Sequence, residues 1–274
     1  DRDGDMWFAT EGGGVSRFDG DTWTSFDVSD GLVDNSVYEI VQDVAGDLWF
    51  RSRRGVSRYD GLTWRGYTEQ ADGLAPSTGY HPTVLATDSN GSIWYGSNQG
   101  GLSRFDGNRW TTVDSVNGHK LEGITSATQT RDGAMWFGTS NGAVRYQDDD
   151  WHLYGTMDGL ASSHVYSVAS DSSGTVWFGT QTGVSHFDHG TWTTHLVDFE
   201  TSSLLCATDG DVWAATGVGT HRFDGNTWEL GISVDGPRGR FFEDAHGDIW
   251  YSSGANGVLR HGRTGVRAYG MDGR

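Results

Sequence analysis

Seven of the thirteen tryptophans in this chain share one pattern, Gly-x-(Met/Leu/Ile/Val)-Trp, at Trp7, Trp49, Trp94, Trp136, Trp177, Trp213 and Trp250. They are separated by 42, 45, 42, 41, 36 and 37 residues. The other six, Trp23, Trp64, Trp110, Trp151, Trp192 and Trp228, each follow a first-column indole by 15 or 16 residues. Only the last repeat lacks its second tryptophan and carries Val266 there. A period near 40 residues sustained over the whole chain restricts the fold more than any composition does.

Each repeat divides into four strand-like runs, most clearly in the second. Ser36 to Val41 alternates, Asp43-Val44-Ala45-Gly46-Asp47 turns the chain, and Leu48-Trp49-Phe50 makes a second run. Val56 to Tyr59 and Thr63 to Tyr67 follow, joined by Asp60-Gly61, a dipeptide suited to a tight hairpin. No segment keeps a 3.6-residue period, so essentially no helix is expected. A four-stranded sheet cannot bury both faces alone, whereas stacking such sheets around an axis does so, with indoles filling the widening wedge. The expected fold is all-β, a seven-bladed β-propeller of four-stranded antiparallel blades forming one domain over residues 1–274. A β-solenoid is the competing geometry, but its coils are shorter and lack four distinct strands.

One inner strand is missing from the count, because Asp1 already stands in the turn that follows it. The last residues, Met271-Asp272-Gly273-Arg274, match the Asp30-Gly31-Leu32 loop that precedes a first strand. The expectation is a fragment of a longer protein, with the strand supplied by a neighbouring domain, another chain or some rearrangement.

Composition narrows the partners. There are 42 glycines and 3 prolines, as many tight turns require. A net charge of −18 argues against nucleic acid, since phosphate binding needs a cationic face. No apolar run is long enough to span a membrane, so no membrane insertion is expected. Cys206 is the only cysteine and lies among Leu204, Leu205 and Ala207, which reads as an inert packed thiol.

The run Asp43-x-x-Gly46-x-Leu48-Trp49-Phe50, leading to Gly55-Val56-Ser57-Arg58-Tyr59-Asp60-Gly61, resembles the two-component-regulator propeller repeat. Asp30-Gly31-Leu32-x-x-Asn35-x-Val37-x-x-Ile40 before it belongs to the same pattern. The resemblance implies a ligand-sensing module on the periplasmic or extracellular side, with a ligand that is often carbohydrate-derived, and no chemistry. More distantly the repeats are similar to streptogramin B lyase, a seven-bladed propeller with a magnesium-dependent site. No local motif transfers that site's residues to this chain. No cofactor and no metal site are expected.

Repetition sorts scaffold from site: a residue present in nearly every repeat is scaffold, and one that breaks its column is a candidate. Asp1, Asp43, Asp88, Asp171 and Asp244 share a turn position and read as structural acceptors of backbone N–H groups, with calcium binding as the sharper alternative. The column Arg17, Arg58, Arg104, Arg145, Arg222 and Arg260, with His186 replacing one member, reads as packing. Departures concentrate on the face carrying the long connections 27–35, 68–80 and 155–163. There the second repeat has Arg51-Ser52-Arg53-Arg54. Arg51, Arg53 and Arg54 suggest a grip on carboxylate, sulfate or uronic acid. The bland alternative is a solvated run pairing with acids such as Glu69 and Asp72.

At the starts of the inner strands stand Ser36, His81, Gly123, His164, Glu200 and Pro237. His81 and His164, with Tyr80 and Tyr166, are the candidates for a channel mouth that holds a sugar or other small molecule. Three readings stay open. The first is a non-catalytic ligand-binding or sensor propeller for a small anionic or carbohydrate-derived ligand. The second is a lyase of the streptogramin or uronate type using His81 and His164. The third is a structural or protein-interaction propeller.

Overall fold

Short alternating segments separated by Gly-bearing turns pair into antiparallel sheets throughout the residues described by this computed structural model, 1–77, 84–231, 239–252, 257–262 and 265–270. The chain forms two compact units, Asp1–Thr125 and Ser126–Arg274.

In the first unit the opening sheet has three strands, β1 (Met6–Ala9), β2 (Val15–Phe18) and β3 (Trp23–Phe26). The next has four: β4 (Val37–Gln42), β5 (Leu48–Ser52), β6 (Gly55–Tyr59) and β7 (Trp64–Tyr67). One helical turn, α1 (Glu69–Asp72), then leads to β8 (Val84–Thr87), β9 (Ile93–Gly96), β10 (Leu102–Phe105) and β11 (Trp110–Val113). A hairpin of β12 (Ser115–Val116) and β13 (His119–Lys120) completes the unit. The helical turn α1 is the one helical element among the described residues, in keeping with the expectation of essentially no helix. Thr68 caps it by accepting the Ala71 N–H, and Gly73 at φ 74° stops it.

The second unit holds four sheets of four strands. The first two are β14 (Ser126–Gln129), β15 (Met135–Thr139), β16 (Gly142–Gln147), β17 (Asp150–Tyr154), and β18 (Val165–Ser170), β19 (Val176–Thr180), β20 (Gly183–Asp188), β21 (Thr191–His195). The others are β22 (Thr201–Cys206), β23 (Val212–Thr216), β24 (Gly219–Phe223), β25 (Trp228–Leu230), and β26 (Phe241–Glu243), β27 (Ile249–Ser252), β28 (Val258–Gly262), β29 (Gly265–Tyr269). Six indole strands have a preceding strand at their side. Among the described residues β1 has none, which makes it an edge strand.

The repeated residues are structural, as their columns imply. The carboxylate six residues before the indole accepts its Nε1–H in Asp1–Trp7 (2.7 Å), Asp43–Trp49 (2.8 Å), Asp88–Trp94 (2.9 Å), Asp171–Trp177 (3.2 Å) and Asp244–Trp250 (2.8 Å). The other oxygen of Asp43 accepts the N–H groups of Ala45, Gly46 and Asp47, so one side chain closes the turn and orients the ring. The arginine column lies directly across the ladder from these indoles, as Arg58 does from Trp49 with its guanidinium 5.6 Å from the ring centre. Arg17, Arg58, Arg222 and Arg260 are each ion-paired to the aspartate two residues before the indole, Asp5, Asp47, Asp211 and Asp248.

The long connections prove to be part of the same scaffold. In the Asp-Gly-Leu of each of these three connections, the aspartate accepts a backbone N–H three or four residues back: Asp30 from Asp27, Asp72 from Thr68, Asp158 from Gly155. The leucines Leu32, Leu74 and Leu160 are buried. The next N–H then donates to a buried or half-buried serine, as Val33 does to Ser57, Ala75 to Ser103 and Ala161 to Ser185. Burying one leucine contributes about 1.5–3 kcal/mol, which gives these loops a packing role.

Candidate binding site

The residue two after the indole is small in every repeat but one. It is Ala9, Gly96, Gly138, Gly179, Ala215 and Ser252, and it is Arg51 in β5. Directly across the ladder from Arg51 lies Glu39, where three other inner strands place Ser126, Ser167 and Ser203 opposite their Gly or Ala and β8 places Val84 opposite Gly96. Two departures from the repeat thus fall on one cross-strand pair.

The pair is a built arrangement. Arg51 Nε donates to Glu39 Oε2 at 3.1 Å, and the same oxygen accepts the Leu85 N–H of β8 at 2.9 Å. In the second unit a serine does the latter job: Ser126 Oγ accepts from Val168 N, and Ser167 Oγ from Leu204 N. Glu39 therefore keeps the sheet-to-sheet bond of the repeat and adds a carboxylate that holds a guanidinium. The Arg51 side chain is only 11% exposed. Its guanidinium lies 5.3 Å from the centre of the Tyr38 ring. Tyr38 is the extra residue of a β-bulge between Val37 and Glu39, and a bulge re-aims the side chain it carries. Tyr38 is 38% exposed, so its ring meets solvent beside the largely buried guanidinium.

Nearby, Tyr95 is buried, and burial pushes its hydroxyl pKa up; a hydrogen bond with Ser77 and the charge of Arg51 oppose that rise, and Glu69 adds to it. Ser77 Oγ donates to Asn98 Oδ1 at 3.1 Å. Arg54 is exposed and pairs with Asp34 at 3.2 Å, and the exposed Arg53 donates its backbone N–H to Ser36 O. The acids that partner Arg51 and Arg54 are accordingly Glu39 and Asp34, in place of the expected Glu69 and Asp72. The reason is register: Glu39 is cross-strand to Arg51, whereas the Asp72 carboxylate accepts the Thr68 N–H at the cap of α1.

His164 and Tyr166 lie together in the second unit, with ring centres 4.6 Å apart. His164 accepts the Gln181 N–H on its carbonyl, and Tyr166 occupies the bulge between Val165 and Ser167, the position of Tyr38 in β4. Tyr80 and His81 fall outside the described residues, as does Pro237. The sequence reading passed over Tyr38 and Glu39. Writing the inner-strand column as Glu39, Ser126, Ser167, Ser203 exposes the second of them. The first needs the bulge.

Burial raises the thiol pKa of Cys206, which keeps it protonated and inert. Among the described residues no three His, Cys, Asp or Glu side chains are grouped to hold a metal ion. No described helix is long and apolar enough to cross a membrane.

These sheets and staples define an all-β protein of the propeller class. The model of the two component regulator propeller repeat matches residues 159–182, the segment from the Asp158-Gly159-Leu160 loop through β19 into the turn after it. Among solved structures the chain is similar to the extracellular domain of a hybrid two-component system of B. thetaiotaomicron, at 22% identity and a TM-score of 0.68. That match covers 94% of this chain and 37% of the other, so the chain spans little more than a third of that relative. It is also similar to virginiamycin B lyase from Staphylococcus aureus, at 17% identity and a TM-score of 0.67, over 86% of this chain and 84% of the enzyme. A third is the extracellular domain of a one-component system of B. thetaiotaomicron, at 18% identity and a TM-score of 0.51, over 97% and 40%. At these identities the likeness establishes the fold. No curated protein matches the chain in sequence.

Proposed function

We propose that the chain is a non-catalytic ligand-binding module of a sensor, and that Tyr38, Glu39, Arg51 and Arg53 recognise a carbohydrate-derived ligand. The observation that carries this is the paired departure of Glu39 and Arg51 beside the half-exposed Tyr38 ring. An aromatic surface flanked by one charge-paired acceptor and donor is the chemistry that grips a polyhydroxylated ring. Arg51 and Arg54 meet the carboxylates of Glu39 and Asp34, which favours a neutral or singly acidic sugar over a highly charged anion. The extracellular sensor domains among the structural relatives support placement outside the cytoplasm. A neighbouring domain or chain would pair with the edge strand β1. The net charge of −18 supports a partner other than nucleic acid.

Calorimetric titration with neutral and uronate-bearing oligosaccharides tests the reading. Tyr38→Ala and Arg53→Ala should each weaken binding about tenfold, the scale of one lost stacking or charge-assisted contact. Wild-type affinity in both variants overturns it. The lyase reading has one observation of its own, the His164 ring against Tyr166. Turnover of uronate or depsipeptide substrates that disappears in His164→Ala would establish it instead.

A further inference from the structure

A cavity of about 560 Å³ lies between the β14–β17 and β18–β21 sheets, on the side of the Asp-bearing turns. Arg131, Asp132, Arg145 and Tyr154 line it from one sheet, and Phe187 and His189 from the other. Other adjoining sheets leave a similar cleft, yet this one breaks the repeat in two ways that bear on charge.

The first concerns Arg145. Its equivalents Arg17, Arg58, Arg222 and Arg260 are pinned by an aspartate two residues before the indole and Arg104 donates to Ser92 there, but here that residue is the buried Ala134, which accepts nothing through its side chain. Arg145 has the Trp136 ring 5.9 Å from its guanidinium, the neutral amide oxygen of Gln147, and a long 4.0 Å approach to Asp132, whose side chain is 61% exposed. The second concerns Arg131. Its equivalent in the first sheet, Arg2, reaches the next sheet and donates to Asp43 O at 3.0 Å and Val44 O at 2.9 Å. Among the described residues the Arg131 guanidinium makes no hydrogen bond or ion pair. Asp132 is the one carboxylate lining the cavity, and it is already occupied by the Thr130 hydroxyl at 2.5 Å. His189 is engaged with Asp188 at 2.5 Å.

We infer that this cleft binds a small ring compound bearing one carboxylate, its acid group held between Arg131 and Arg145 and its ring against Tyr154 and Phe187. Arginine suits the acid group because its fork meets both carboxylate oxygens. Tyr154 and Phe187 are half-buried and supply the apolar wall that places the ring.

Titration of the full chain with benzoate, acetate and benzyl alcohol tests this, with the two single-feature probes separating charge from ring. Benzoate should bind at least tenfold more tightly than either. Arg131→Gln should weaken benzoate about tenfold. Ala134→Asp should do the same by returning to Arg145 the carboxylate that other repeats provide, without lowering the melting temperature. Arg53→Ala should leave benzoate binding unchanged, so the result is independent of the Tyr38–Arg51 site. Benzoate that binds no better than acetate or benzyl alcohol, or that binds both cleft variants as well as wild type, overturns the inference.

Discussion

The indole Nε1 of Trp213 is buried with no hydrogen-bond partner among the described residues, and Ala207 occupies the place six residues earlier from which aspartates serve five other indoles. The surrounding turn keeps the geometry of its relatives: Ala207 N–H donates to Asp211 O at 2.8 Å, and Gly210 N–H to Ala207 O at 3.0 Å. Ala207→Asp should therefore stabilise the protein by about 1 kcal/mol, the net value of one satisfied buried donor. Urea unfolding followed by tryptophan fluorescence measures it, and an unchanged or lower midpoint would show that the added charge beside Asp209 and Asp211 outweighs the bond.

The reverse change should be costly. Asp43 accepts three backbone N–H groups and the Trp49 indole, and both residues are buried. Asp43→Ala should lose about 2–3 kcal/mol, because several donors are stranded at once. Asp43→Asn keeps one acceptor oxygen and should lose roughly half as much. The same unfolding experiment ranks the two.

Glu39 and Arg51 should behave as a unit. Arg51 is nearly buried, so Glu39→Ala leaves a guanidinium without its carboxylate and should cost about 3 kcal/mol. The double change Glu39→Ser with Arg51→Gly restores the residues found at Ser167 and Gly179, and should cost much less than the two single changes added together. A double-mutant cycle in urea gives the coupling, and simple additivity would dissolve the pair.

Acid should weaken the second unit before it titrates carboxylates. His186 Nδ1 and His195 Nε2 are 3.0 Å apart, His186 standing in the arginine column and His195 in one that holds Phe26, Tyr67, Tyr154 and Tyr269 in other repeats. Burial lowers both pKa values from 6.5, and the neighbouring His186 lowers that of His195 further. Burial lowers His221 as well, against a raising hydrogen bond at Gly219. A histidine with a depressed folded pKa binds fewer protons than its unfolded counterpart. Stability is thus full above about pH 7 and falls as pH drops through 6.5 toward the folded values. The urea midpoint should decline across that window, and less steeply in His195→Tyr. Asp60, Asp106, Asp224 and Asp244 have lowered pKa values, chiefly from backbone hydrogen bonds in the first three and from the Trp250 indole in the last. Their stabilising effect is lost only below about pH 4.

Columns of identical residues carry the propeller class in the sequence itself. An aspartate, a glycine and an indole at fixed offsets encode a turn and a strand through contacts only six residues apart, and such local physics repeats faithfully. The same columns pointed to the arginine run and to the His164–Tyr166 strand start. Position across strands is another matter. The bulge after Val37 shifts the ladder by one residue, so Glu39 faces Arg51 and Tyr38 leaves the pairing, and a shift of that kind alters no residue type. Ala134 breaks its column in plain view, but only the structure shows that the aspartates of that column pair with the arginines, and so what Arg145 lacks. The chain alone decided which side chains recur. Packing between strands decided which of them keep a partner.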